Sequence, residues 1–398
     1  MEIKINVVEA VALAVAVLYL GVFCKRKIKF LYRFCIPAPV IGGLIFSVIS
    51  LFGYSTGAYT FVIDVLLQKI FMLAFFTTVG YCASFKSITQ GSVDLIILTI
   101  LVVFLIILQD TIALALAPLF DMQPLLALCT GSVSMVGGHG TAGAWGPIFE
   151  NAGIAGATGI AIASATFGLV AGSLIGGPIG RRLIDRNNLL IKQSVHNDDK
   201  QIAVEAEKSE KHLSKNSIIH AIYQIALAMG IGSVLSTYLE STGLLFPPYV
   251  GALVIAALLR NIADFSGKFK INFVEIDVIG QACLSIFLAM ALMTLKLWEL
   301  ADLAIPMLIM LFSQTALMII FAYFVVFRCL KKDYDSAVIT AGVCGFGMGA
   351  TPNAVANMEA LTQRYRPSHK AFLIVPLVGV MFADVINTLF ITLFVNVF

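Results

Sequence analysis

The sequence predicts an all-α polytopic membrane protein: two inverted-topology repeats of five transmembrane helices, each with a re-entrant Gly-rich hairpin. Three observations lead there. Of 398 residues, 59% are hydrophobic and 12% charged, against about a quarter charged in soluble domains. Apolar runs such as Leu95–Leu108 and Leu303–Phe327 carry no charge, and a helix needs roughly 20 apolar residues to cross the hydrocarbon. The two halves also echo one another in order.

The first run, Val7–Phe23, precedes Lys25-Arg26-Lys27. A cleavable signal would carry its positive charge before the run, so this run reads as a mature first helix. Further crossings are expected near 37–53, 63–83, 94–117 and 157–180, then 218–240, 247–260, 277–296, 303–327 and 371–397. The stretches 124–149 and 335–360 stand apart as Gly-rich hairpins. Residues 1–183 form the first repeat and 217–398 the second. Between them, 184–216 mixes both charge signs and reads as a flexible cytoplasmic linker. A metal role for its His196 and His212 is not expected.

Lys and Arg favour the cytoplasmic side. With both termini periplasmic and the linker cytoplasmic, only Lys4, Lys69 and Lys296 of the 26 basic residues fall outside. Letting both Gly-rich stretches cross would put most of the positive charge outside. The charge rule therefore favours stretches that enter and leave on one side, more firmly for the first than for the second.

The echoes are specific. Ile36-Pro37-Ala38-Pro39-Val40-Ile41-Gly42 returns as Phe246-Pro247-Pro248-Tyr249-Val250-Gly251, and Phe71–Phe75 as Ile286–Met290. Thr130–Thr141 returns as Ala341–Ala350. The span from Pro37 to Gly140 differs by one residue from that between Pro247 and Gly349. An odd number of crossings per repeat turns the second copy upside down, the plan of many secondary transporters.

Gly137-Gly138-His139-Gly140 and Gly345-Phe346-Gly347-Met348-Gly349 should break their helices. Broken backbone survives at membrane depth only inside protein or beside water. Half-helix N-termini there favour carboxylates, while bare carbonyls and hydroxyls suit a hard cation such as Na⁺. Ser134, Gly137, Gly138, His139, Gly140, Thr141, Gly347, Gly349, Thr351 and Asn353 are thus the candidate substrate-binding residues. Thr130, Ser132, Asn357, Asp384 and Asn387 are the candidate Na⁺ ligands. Asp384 and Asn387 lie about one turn apart on the last helix, and ionisable groups at depth are costly and usually functional. Asp110, beside Gln109, is a weaker ion candidate, and Lys296 beside Trp298 reads as an interface anchor.

Composition excludes other classes. No compact basic face suggests nucleic acid, and the seven cysteines show no metal spacing. There is no GxxxxGK[ST], HExxH or GxSxG motif, so neither a primary pump nor an enzyme is expected.

The chain resembles the bacterial sodium/glutamate symporter family at Gly131–Trp145 (GSVSMVGGHGTAGAW), Ala165–Ile179 (ATFGLVAGSLIGGPI), Leu284–Ala301 (LSIFLAMALMTLKLWELA) and Cys344–Met358 (CGFGMGATPNAVANM). Pro367–Phe372, Asp384 and Asn387 also fit. The resemblance runs from about residue 36 to 394, without the linker. It implies Na⁺-coupled import of glutamate across the bacterial inner membrane by a homodimer with elevator-like movement. Carriage of another organic anion such as citrate, or an ion channel, are the alternatives.

Overall fold

The computed structural model describes residues 2–29, 31, 36–84, 93–189, 215–241, 247–267, 271–299 and 304–397. Most of the expected linker, with His196 and His212, lies outside these residues. So do Arg33, Lys86, Lys268, Lys270 and Phe246.

The chain is helical nearly throughout. Helix α1 (Val7–Lys27) opens with Asn6, whose side chain accepts from the Val8 and Glu9 amides at 3.0 Å, while Glu9 accepts from the Asn6 amide at 2.9 Å. This reciprocal cap satisfies donors that a helix start leaves bare. Helices α2 (Ala38–Ser55), α3 (Leu66–Cys82) and α4 (Val93–Leu116) follow. Pro39, in the first turn of α2, suits a position whose N–H has no intrahelical partner. The first Gly-rich stretch folds as α5 (Pro124–Leu128), α6 (Ser132–Met135) and α7 (Gly138–Asn151). Helix α8 spans Ala157–Arg186.

The second half holds α9 (Lys215–Glu240), α10 (Tyr249–Ser266), α11 (Phe273–Met293) and α12 (Ala304–Cys329). Its Gly-rich stretch folds as α13 (Tyr334–Phe346) and α14 (Thr351–Thr362). Helices α15 (His369–Leu377) and α16 (Asp384–Val397) close the chain. Among the described residues, eight helices are long and apolar enough to cross a membrane, while α3, α5–α6 and α16 are shorter apolar segments. The chain is a polytopic membrane protein.

Packing sorts the helices into two groups. Helices α1–α3 contact α10 and α11, and α9 packs on α10. Helix α8 takes α7 on one side and α13–α14 on another, with α4, α12, α15 and α16 completing that group. The proline-glycine echo has a physical purpose here. A Cβ on Gly42 would strike the Val17 carbonyl of α1, and one on Gly251 the Gly232 carbonyl of α9. In each half, small residues let two backbones touch.

One end of the second group is tied electrostatically. Asp94, 2% exposed, ion-pairs with Lys370 and with Lys331, the latter at 3.8 Å. Arg186 donates to the Tyr323 hydroxyl at 2.9 Å, and the Tyr365 hydroxyl to Asp185 at 2.9 Å.

Two features depart from the sequence reading. The all-α expectation needs a small correction: Glu2–Ile5 and Thr60–Ile63 form a two-stranded parallel sheet. Residue 63, expected to begin a crossing, is a strand residue, and α3 starts at Leu66. Mutual pairing satisfies backbone groups that short flanking segments would otherwise leave bare. The last crossing is also not a uniform α-helix, because Val378–Ala383 is π-helical and ends directly before Asp384. A second π-helical segment, Phe321–Val326, interrupts α12.

Candidate functional site at the two glycine turns

Both Gly-rich stretches break where glycine makes continuation costly. In the first, the backbone turns at Val136-Gly137 and α7 starts at Gly138, which has φ +55°. L side chains rarely adopt that region. In the second, Gly347–Ala350 separates α13 from α14. Neither returning helix has a side-chain cap, since neither Gly137 nor Ala350 supplies one. Pro352 stands in the first turn of α14, where a missing N–H costs nothing.

The turns meet. The carbonyl oxygen of Gly349 lies 2.6 Å from where a Cβ on Gly138 would stand. Two uncapped helix starts, from opposite halves of the sequence, therefore share one spot. A helix start carries partial positive charge that favours anionic groups.

Helix α4 grips both turns from adjacent residues. The Asp110 carboxylate accepts from the Ser132 amide at 2.7 Å and the Ser132 hydroxyl at 2.8 Å. Gln109 donates to the Gly347 carbonyl at 2.8 Å, and Gln314 of α12 donates to the Gln109 carbonyl at 2.8 Å. From α16, Asn387 donates to the Ser132 carbonyl at 3.1 Å. Its amide nitrogen also lies 2.8 Å from the position a Cβ on Gly137 would take. Gln109, Gln314 and Asn387 are all fully buried.

The remaining candidates divide by contact. The Ser134 hydroxyl bonds the Cys129 and Ala161 carbonyls at 2.6 and 2.8 Å, and Thr130 bonds Ala127 at 2.8 Å. Asn353 donates to the Leu169 carbonyl and the Ser173 hydroxyl at 2.8 and 2.9 Å. Asn357 donates to the Gly172 and Ala341 carbonyls at 3.0 and 3.2 Å. Both asparagines thereby fasten the second hairpin to α8. The Thr351 hydroxyl lies 3.0 Å from where a Cβ on Gly379 would stand, so the π-helical segment packs on the second turn. Thr141 packs against Gly137, and Gly140 faces Phe75 and Leu284.

His139 Nε2 lies 3.0 Å from the Thr166 hydroxyl, which donates to the Ile162 carbonyl at 2.9 Å.

The donor set suits a hard cation. The side-chain oxygens of Gln109, Gln314, Asn353 and Asn387 are buried without a hydrogen-bond partner. Such oxygens are costly unless something positive meets them. Asp384 is half-buried. Na⁺ takes neutral and anionic oxygens, whereas no group of three or more His, Cys, Asp or Glu residues suited to a metal occurs among the described residues.

The sequence profile of the sodium/glutamate symporter family matches residues 3–367. The chain belongs to that family. It is 42% identical over 391 residues to a sodium/glutamate symporter of Haemophilus influenzae, covering 97% of this chain and 96% of that protein. It is 40% identical over 384 residues to one of Escherichia coli, covering 96% and 95%. Membership of the sodium/glutamate symporter family sets a transporter, not an enzyme, as the frame for the two turns.

Sequence reasoning named Asp110 only as a weak candidate and gave Gln314 no role. A polar pair in the middle of an apolar run was the available signal for Gln109 and Asp110. Gln314, in the charge-free run Leu303–Phe327, offered the same signal.

Proposed function

We propose that the protein imports glutamate together with Na⁺, moving the two turns and their cargo as one body. The observation that carries this reading is the meeting of Gly138 and Gly349. Two uncapped helix starts suit the carboxylates of a dicarboxylic amino acid. Buried, partnerless amide oxygens beside them suit Na⁺. The family and its relatives, named for sodium and glutamate, agree with this chemistry.

In this reading both Gly-rich stretches are re-entrant and the two repeats are inverted. Corresponding helices support it. Helices α1–α3 and their counterparts α9–α11 pack as one group, while α4–α8 and α12–α16 pack as the other. The first group, with its proline-bearing helices α2 and α10, would be the static scaffold of an inner-membrane homodimer. The second would travel in an elevator-type cycle. Cytoplasmic placement of the end that holds Asp94, Lys370, Arg186 and Asp185 follows from the concentration of positive charge there.

Ordering is the coupling device. Na⁺ on the Asn387, Gln109 and Asp384 oxygens would fix the first turn, whose Ser132 carbonyl Asn387 already holds. Substrate then meets a formed pair of helix starts. A ligand shifts such an equilibrium only through differential affinity for two states.

Uptake of labelled glutamate into proteoliposomes, with and without an inward Na⁺ gradient, tests the proposal. Accumulation only with the gradient is expected, and its absence would overturn the reading. Counterflow against citrate separates the carrier of another organic anion.

A further inference from the structure

Far along α8 from the glycine turns, a cavity of about 790 Å³ lies between the ends of α8 and α14. Arg181, Arg182 and Arg186 reach it from the last turns of α8, and Arg364 from just beyond α14. All four residues are exposed, so their charges are open to a ligand. The floor is where the two helices touch. A Cβ on Gly180 would strike the Leu361 side chain, whereas one on Gly177 would meet nothing within 4 Å.

The charges of this recess are unbalanced. Its one lining carboxylate is Asp185. Both oxygens of Asp185 are already engaged, one by the Tyr365 hydroxyl at 2.9 Å and the other by Arg181 at 3.4 Å. Glu359 of α14 is exposed but does not line the cavity. Arg186 donates one N–H to a neutral partner, the Tyr323 hydroxyl, at 2.9 Å. Arg364 lies 5.6 Å from the centroid of the Tyr365 ring. Among the described residues, no carboxylate forms an ion pair with Arg182, Arg186 or Arg364. A guanidinium carries five N–H donors, so most of the donors here are unspent. Their planar forks match phosphate oxygens two at a time.

The surface next to the recess indicates which phosphate. Leu174, 54% exposed, precedes Pro178 of the lining by one turn of α8. Two turns before Leu174, Phe167 packs edge-on against Phe312 of α12, which is 63% exposed. Phe324, 49% exposed, follows the Tyr323 that holds Arg186. The arginines thus cap an apolar strip on two helices long enough to span a membrane. A free phosphate ion gains nothing from that strip, whereas an acyl chain lies along it. Basic pockets between transmembrane helices suit anionic head groups.

We propose that this recess binds the phosphodiester head group of an anionic membrane lipid, which bridges α8 to the second Gly-rich stretch. The binding rests on the chain's membrane character alone, and its leaflet follows from the proposed cytoplasmic placement of this end.

The test uses the full chain in neutral detergent, titrated with phosphatidylglycerol or phosphatidylcholine, with bound lipid counted by native mass spectrometry. Phosphatidylglycerol should bind at least about tenfold more tightly than phosphatidylcholine. The double variant R182Q/R364Q should weaken phosphatidylglycerol binding at least about tenfold, and R182K/R364K by less than about threefold. R182Q alone, which removes no ion pair or hydrogen bond, should weaken it about threefold and guards against a misfolded double variant. R328Q removes a charge from the same end of the protein outside the cavity and should leave binding within about twofold. Equal affinity for phosphatidylcholine, unchanged binding in the double variant, or an equal loss in R328Q would overturn the site. Displacement of the lipid by millimolar inorganic phosphate or glycerol 3-phosphate would overturn the lipid assignment in favour of a free anion. No transport is measured, so failure here leaves the proposed function standing.

Discussion

Asp110 holds Ser132 through both carboxylate oxygens, at 2.7 Å to the amide and 2.8 Å to the hydroxyl. The pair joins the middle of α4 to the first residue of α6, with both partners fully buried. Hydrogen bonds to charged groups contribute roughly 1.5–3 kcal/mol each, and orphaned donors cost a similar amount. D110A should therefore destabilise the protein by about 2–4 kcal/mol, S132A by about half as much. A double-mutant cycle on thermal unfolding should show the two effects to be strongly non-additive. Additive losses would mean that the contact carries no energy.

Gly138 should not tolerate a side chain. Its φ of +55° and the Gly349 carbonyl at 2.6 Å both oppose a Cβ. The left-handed conformation alone costs an L residue roughly 1–2 kcal/mol. G138A is expected to reduce initial uptake at least tenfold while the protein still elutes as a folded species in size-exclusion chromatography. Normal uptake would show that the turns need not touch.

Asp384 differs from Asp110 in kind. It directly follows the π-helical segment and is half-buried. Burying a charge without a partner is costly, so D384N should leave thermal stability in Na⁺-free buffer equal or higher. The same variant should raise the Na⁺ concentration for half-maximal uptake at least tenfold. A lower melting temperature with unchanged Na⁺ dependence would assign Asp384 a structural role.

Lys370 should matter for stability more than for transport. Removing it as K370M leaves the Asp94 carboxylate, 2% exposed, with Lys331 at 3.8 Å as its remaining ion-pair partner among the described residues. Breaking a buried pair costs roughly 3–5 kcal/mol, and the second lysine should reduce that to about 2 kcal/mol. D94N in the K370M background should recover most of the loss in a thermal melt.

Cysteines placed at Gln123 and Asn151 should both react with a membrane-impermeant reagent from one face. Cysteines at Asp333 and Gln363 should both react from the opposite face. Labelling of either pair from two different sides would remove the re-entrant arrangement.

Much of this structure was legible in the residues themselves. Long apolar runs announced the helices, since a bilayer demands internally bonded backbone. Gly137–Gly140 and Gly345–Gly349 announced the breaks, because glycine favours turns over helix interiors. What stayed hidden depends on neighbours distant in sequence. Gln109 reaches Gly347 across 238 residues, and nothing local to either predicts that reach. The π-helical segment Val378–Ala383 uses residues that would suit an ordinary α-helix. The strands Glu2–Ile5 and Thr60–Ile63 are four residues each, too short for alternation to register. His139, a candidate by its place in the first turn, meets Thr166 of α8, 27 residues on.

Gln109 and Asp110 are consecutive, so one peptide unit of α4 is anchored to the two hairpins at once. A tug on either hairpin displaces the same short piece of backbone. The hairpins are thereby yoked: neither can shift its register without loading the other. In the proposed cycle, filling one alone would leave the yoke lopsided, and joint occupancy would balance it. A single link of main chain would in this way give the proposed carrier the wiring of an AND gate.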